Sequence, residues 1–402
     1  LIQAGIPGED IIVLEAREAA SGASSRNAGH VRPDAFRGFE TYAKHHGKEQ
    51  ALKILANERL VLEKVNQFVR NHNVPCEFHY TTTFDCCMTS EFAEHEKRNY
   101  ETFRAAGGDV SHVKFYEGEK AAKITGISGI LAAYEWPAGS SHPAKLAQWL
   151  LNAVIESAVR LYTFCPVTQV TESSSSQDET QLWGIHTPRG TITTPKVIYC
   201  TNAFTGHLLP QLAPHIVPHR GQAHAIIPVP GLAGNNLLKS TYSLRYALNH
   251  FYSIIQRQSD GTIVLGVSLP NPALPSEVTQ GIRTIDDRYP NEAIKNDALG
   301  YFKGFFPELD FGSPAHGEGL SHFWSGIVGL TSDEVPFLGH IGGKPGQFVC
   351  AGFNGHGMAR IFTCAPGVAK LIAGKSWAET GLPECFLFSE ERMMKLGLSQ
   401  AV

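Results

Sequence analysis

Two stretches of this 402-residue chain carry residue types whose spacing suggests chemistry. The first is IIVLEAREAASGASSRNAGH, Ile11 to His30. Four apolar residues run into Glu15, and a segment dominated by Ser, Gly and Ala follows. A carboxylate at the tip of a buried strand can accept hydrogen bonds from the hydroxyls of a ribose. Small residues next to it let the backbone approach a ligand closely. The second stretch is FVCAGFNGHGMARIF, Phe348 to Phe362. It sets Gly352, Gly355 and Gly357 around Asn354 and His356, just before a predicted helix. The free N–H groups of that helix would favour negative charge. His30 and His356 each sit beside one of these loops and are the candidate acid–base groups.

These loops need elements to hold them. Ile11–Glu15 reads as a strand and 47–72 as a helix, with Leu52, Leu55, Leu62, Val65, Phe68 and Val69 on one face. FHYTTTFDCCMT reads as one or two strands. Ser140-Ser141-His142-Pro143 opens another helix. A meander follows: CPVTQVTE, QLWGIHT, TITT and PKVIYCTNA, with SSSSQDE as a flexible tip. Strands dominate from Ile216 to Leu269, and a loop-rich region extends to about Phe311. Phe348–Gly352 is a strand before the last loop and helix. This mixture predicts an α/β (α+β) chain: a Rossmann-like nucleotide-binding domain with an inserted antiparallel-sheet domain.

Composition narrows the partners. The net charge is −4 and no Lys/Arg block occurs, which argues against nucleic acid and anionic membranes. No apolar run reaches the ~18 residues of a membrane span, and no signal peptide is visible. The C-terminal LSQAV is not a peroxisomal tripeptide. The eight cysteines are scattered without a CxxC, and no His/Cys pairing suggests a metal site. A cytoplasmic protein with reduced thiols is expected.

EAREAASGASSRNAGH resembles the segment after the second strand in D-amino-acid-oxidase-like FAD enzymes, the family that includes glycine and sarcosine oxidases and γ-glutamylputrescine oxidoreductase. Ser21, Gly22, Ala23, Ser24, Arg26, Asn27 and Gly29 carry the likeness. Ser25 and Ala28 depart from it, each standing where glycine is expected. CPVTQV, VIYCTNAFTGHLLPQL, VPHRGQ and FVCAGFNGHGMARIF resemble later segments of the same family in the same order, so the likeness spans Ile11 to Gly374.

The resemblance implies non-covalent FAD. Its contacts would be Glu15, Arg17, Ser21, Gly22, Ser24, Ser25, Arg26, Asn27, Ala28, Gly29, Val167, Thr201, Asn202, Gly326, Gly352, Asn354, Gly355, His356, Gly357 and Met358. Gly326 aligns with a cysteine that carries FAD covalently in some members, so no link is expected there. Val264 aligns with a lysine thought to activate oxygen, which leaves O2 or another electron acceptor open. The implied reaction is oxidation of a C–N bond in an amine or amino acid by hydride transfer to flavin N5. Arg245 and Tyr252, with Tyr246, His250, His322 and Trp324, are the candidates on the substrate side, and Arg245 would clamp a carboxylate. The FAD-binding domain is expected at 1–75, 135–214 and 327–402, and the substrate domain at 76–134 and 215–326.

The Gly-rich turn that usually precedes the ribose acid would lie before Leu1. Three situations fit its absence: a fragment of a longer chain, loss of the segment with FAD weakly bound or lost, or a flavin-less isomerase, cyclase or binding protein that reuses the substrate cavity. An NAD-dependent dehydrogenase suits GFNGHGM less well.

Overall fold

A computed structural model describes residues 1–173, 181–311 and 315–397. Most of the predicted serine-rich tip and the C-terminal LSQAV lie outside them. In chain order the strands are β1 (Ile12–Leu14), β2 (His30–Val31), β3 (His79–Cys87), β4 (Lys114–Glu117), β5 (Ala132–Ser140), β6 (Arg160–Tyr162), β7 (Gln169–Ser173), β8 (Leu182–Thr187), β9 (Gly190–Thr194), β10 (Val197–Tyr199), β11 (Ile216–Ile227), β12 (Thr241–Ala247), β13 (His250–Gln256), β14 (Ile263–Val267), β15 (Gly319–Thr331), β16 (Phe337–His340) and β17 (Gln347–Ala351).

The chain divides into two compact units. The first comprises Leu1–Ser21, Ala147–Pro218 and Val328–Val402, and the second Gly22–Leu146 and His219–Ile327. The packing therefore groups residues 22–75 and 135–146 with the second unit.

Among the described residues, the first unit contains three small sheets. β1 pairs in parallel with β6, β10 in parallel with β17, and β17 antiparallel with β16. β7, β8 and β9 form the predicted meander. β10 leaves that meander for β17. Tyr199, Leu212, Ile216, Phe337 and Val349 form a core around the β10–β17–β16 sheet. The helix Ile361–Ile372 follows β17 and carries Pro366 in its interior.

The second unit is built on a large sheet of order β15-β11-β14-β13-β12-β3-β5-β2, with β4 also on β5. Strand alternation gives it two unlike faces. Ser243 pairs with both Asp85 and Ser253, and Ser253 with Gly266, so these positions share one face. Leu244 pairs with Cys86 and Tyr252, which share the other. That second face is apolar: Phe84, Leu244, Tyr252, Ile254 and Leu265 pack with Phe302 and Phe305.

Phe302 and Phe305 belong to a helix, Glu292–Phe305, in the stretch expected to be loop-rich. Asn291 caps it by accepting from the N–H groups of Ala293 and Ile294 (2.8 and 3.2 Å). Gly300 in its interior, Gly304 near its end, and flanking Pro, Asn and Asp conceal it in the sequence. Its apolar face makes it stable where propensity alone would not. The predicted long helix occupies Lys48–Asn71, and the Ser-Ser-His-Pro signal opens Pro143–Glu156.

Candidate active site

In the first unit, Glu15 follows β1 directly. Its N–H bonds to the Tyr162 carbonyl, and its own carbonyl accepts from Cys165 (both 2.9 Å). One carboxylate oxygen accepts from the Arg17 N–H (2.9 Å), which tightens the strand exit. Phe164 N–H bonds to the Arg17 carbonyl, and half-buried Val167 lies three residues on. Ser21 has a buried hydroxyl with no hydrogen-bond partner.

The other glycine-rich element of interest in that unit is the 352–358 loop. Gly352, Asn354 and Gly355 all have positive φ. Asn202 accepts from the N–H groups of Gly352 and Phe353 (2.9 and 3.2 Å). Asn354 bonds to Thr331 through both ends of its amide. Both asparagines thus shape the backbone. Thr201 pairs with Thr205 (3.0 Å). His356 heads the short turn Gly357–Ala359, where Met358 is half-buried.

In the second unit, Gly22–Gly29 forms a single helical turn, Ala23–Arg26, and an extended exit. Asn27 folds back onto the Ala23 and Ser24 carbonyls and accepts from Gly29 N–H (2.9 Å). Arg26 is committed to Asp287 and the Ser325 carbonyl, so it serves as an anchor for this loop. Trp324 Nε1–H donates to the Arg26 carbonyl (2.8 Å), and His322 stacks on Trp324. Gly326 faces Arg26, where an added Cβ would lie 3.5 Å from the Arg26 Cβ. Ala28 faces Gly266, on the polar face of the sheet. Ser24 is exposed and Ser25 half-buried.

His30 begins β2, opposite Ser140 on β5. Neither of its ring nitrogens has a hydrogen-bond partner, and both are buried. Burial, with Arg32 adding repulsion, pushes its pKa down to about 3, so the ring is neutral. Ser141 has a buried, unpartnered hydroxyl in the same stretch, and its N–H bonds to the Gly29 carbonyl.

Along the same face lies a charge cluster that sequence reading missed. Arg32, Arg37 and Arg245 each reach Asp85 at 2.7 Å. Burial alone would raise the Asp85 carboxyl, but these guanidiniums, Arg245 foremost, hold it well below the usual carboxylate range. Buried Glu96 has no hydrogen-bond partner for either oxygen. Burial, then repulsion from Asp85, pushes it up to about 8. The alternation in TTTFDCC was the available signal for an inward-facing Asp85.

The structure does not bring Arg245 and Tyr252 together. Arg245 is spent on Asp85, the Leu248 carbonyl and the Phe251 ring. Tyr252 is on the opposite, apolar face, where it donates to Asp297 (2.5 Å). Tyr246 and His250 cluster with it there.

Residues 1–374 match the model of the FAD-dependent oxidoreductase family, DAO. The chain belongs to this family. It is 22% identical over 371 residues to γ-glutamylputrescine oxidoreductase of Escherichia coli K12, covering 91% of this chain and 79% of that protein. A probable oxidoreductase, OrdL, of Rhizobium meliloti is also 22% identical, over 92% of this chain and 78% of that one. Among solved structures, glycine oxidase from Geobacillus kaustophilus superposes with a TM-score of 0.69 at 20% identity, covering 91% and 88% of the two chains. L-proline dehydrogenase from P. horikoshii gives 0.67 at 17% identity, covering 98% and 99%. The expected mixed α/β fold, with its FAD-binding architecture, is the fold of this family.

The residues of this family member fit FAD. Buried polar atoms are nearly always partnered in folded proteins. In the second unit, the orphaned His30 nitrogens and Ser141 hydroxyl therefore call for a polar ligand. Gly29, at φ +95°, admits no side chain, since a Cβ would lie 2.1 Å from the Ser141 carbonyl oxygen. Among the described residues no group of three His, Cys, Asp or Glu could hold a metal ion, and no helix is long and apolar enough to cross a membrane.

Proposed function

We propose that this chain oxidises a C–N bond of an amine or amino acid, as the names of its oxidoreductase and glycine oxidase relatives suggest. The observation that carries the reading is the small-residue turn at 22–29 followed by a buried imidazole with no partner of its own. Bound FAD would supply the two-electron acceptor, at N5, for hydride leaving the carbon next to nitrogen.

Within the first unit, Glu15 suits ribose hydroxyls and the fixed backbone of 352–358 suits a polar ring edge. Within the second, the backbone of 22–29 suits close approach of a ligand. His30, neutral, presents one N–H and one acceptor nitrogen without positive charge. It orients a polar group, and does not act as a cationic acid. Arg26, Asn27, Asn202 and Asn354 act by holding those backbones in place. Such preorganisation is what positioning and exclusion of water require. Arg245 could clamp a carboxylate only by leaving Asp85, so a substrate carboxylate, where present, would bind elsewhere on the polar face.

The purified chain, after incubation with FAD and desalting, should retain visible flavin absorption. Anaerobic addition of a panel of amines and amino acids should bleach it. A cooperatively melting protein that stays colourless would overturn the flavin reading. A coloured protein bleached only by non-amine donors would overturn the substrate class.

A further inference from the structure

The apolar face of the second unit's sheet carries a cavity that the reaction does not use. Its volume is about 610 Å³, within the range of small-molecule sites. Met88, Tyr246, Asp297, Gly300, Tyr301 and Phe305 are among its walls. It is on the far side of the sheet from Arg245 and the 22–29 turn, because Tyr252, which bonds to Asp297, faces away from both.

Three features define its chemistry. Asp297 is held in place by one donor on each oxygen, Tyr252 O–H (2.5 Å) and Asn271 Nδ2–H (2.9 Å). A carboxylate has about four acceptor positions, so capacity remains. Among the described residues no Lys or Arg pairs with it. Around it stand electron-rich rings: Tyr301 stacks on Tyr252 at 4.7 Å, and Tyr246 meets Tyr301 edge-on at 5.0 Å. Finally, Gly300 and Gly304 leave the helix bare along this wall. A Cβ at either would meet nothing within 4 Å. Packing therefore does not account for Gly300, which costs about 1 kcal/mol relative to alanine in a helix interior.

Ser128 and Asn296 also line the hollow, and His250 packs on the same tyrosines. A carboxylate without a cationic partner among phenol rings selects a cation with a greasy body. We propose that this cavity is a binding site for an organic ammonium ion, a protonated or quaternary amine on an apolar group, separate from the site of oxidation.

Benzyltrimethylammonium is a suitable probe, since its nitrogen has no lone pair and it cannot be oxidised as an amine. Calorimetric titration of the purified chain should show saturable one-to-one binding. Asp297→Asn should weaken it at least about tenfold. Gly300→Leu should weaken it comparably by filling the hollow, while improving helix propensity and preserving the melting transition. The uncharged carbon isostere of the probe should bind far more weakly. Absence of saturable binding at millimolar probe, binding unchanged by Gly300→Leu, or equal binding of the isostere would each overturn the proposal. None of these readouts depends on flavin or turnover.

Discussion

Glu96 and His30 show how burial sets the chemistry of single residues. Glu96 is fully buried beside Asp85 and keeps its proton up to about pH 8. In the unfolded chain it would release that proton near its ordinary value of 4.5. The folded state therefore binds more protons across that window, and stability falls as pH rises through it. Glu96→Gln, which mimics the protonated acid, should remove this decline. Melting temperatures measured from about pH 5 to pH 9 should fall less steeply in the variant than in the native chain. His30 titrates in the opposite sense. Its folded value is depressed to about 3, so its contribution is complete above its ordinary value of 6.5 and is lost as pH falls. The Asp85 cluster was not readable from sequence for a simple reason. Arg32 and Arg37 come from one segment, whereas Asp85 and Arg245 come from two others far along the chain. Only the strand register reveals that they share a face.

Turns and strand exits position everything else. Gly29 combines positive φ with a carbonyl 2.1 Å from where a Cβ would be. Gly29→Ala should cost more than about 2 kcal/mol, with lower melting temperature and reduced flavin retention after desalting. Asn202→Ala would strand the N–H groups of Gly352 and Phe353. The expected cost is about 1–3 kcal/mol for each N–H left unpaired, read by chemical denaturation. At this scale the sequence was most legible where signals are local. The Lys48–Asn71 helix and the opening of Pro143–Glu156 follow from spacing and start residues. The Glu292–Phe305 helix was hidden because tertiary burial of Phe302 and Phe305 outweighs its glycines. Arg245 and Tyr252 look like neighbours along the chain. The hairpin pairs Leu244 with Tyr252, and so sends the two candidates to opposite faces.

For the molecule as a whole, ligand binding and stability are linked. If FAD binds only the folded chain, FAD at a hundredfold excess over its Kd should stabilise it by about 2.7 kcal/mol. Thermal melts at increasing FAD should shift upward in a graded way, and a flat response would contradict binding. The family-level fold was legible because its motifs recur in order from Ile11 to Gly374. The grouping of 22–75 was not, since compactness depends on contacts that no local motif encodes. The first unit's separate small sheets have a practical consequence. Ile12–Leu14 and Val197–Tyr199 each have a strand neighbour on one flank only, among the described residues. A strand border without a neighbouring strand is a place where a strand of another molecule can add. Concentrated stocks are thus expected to seed ordered aggregates through these borders, and light scattering during storage would register it first.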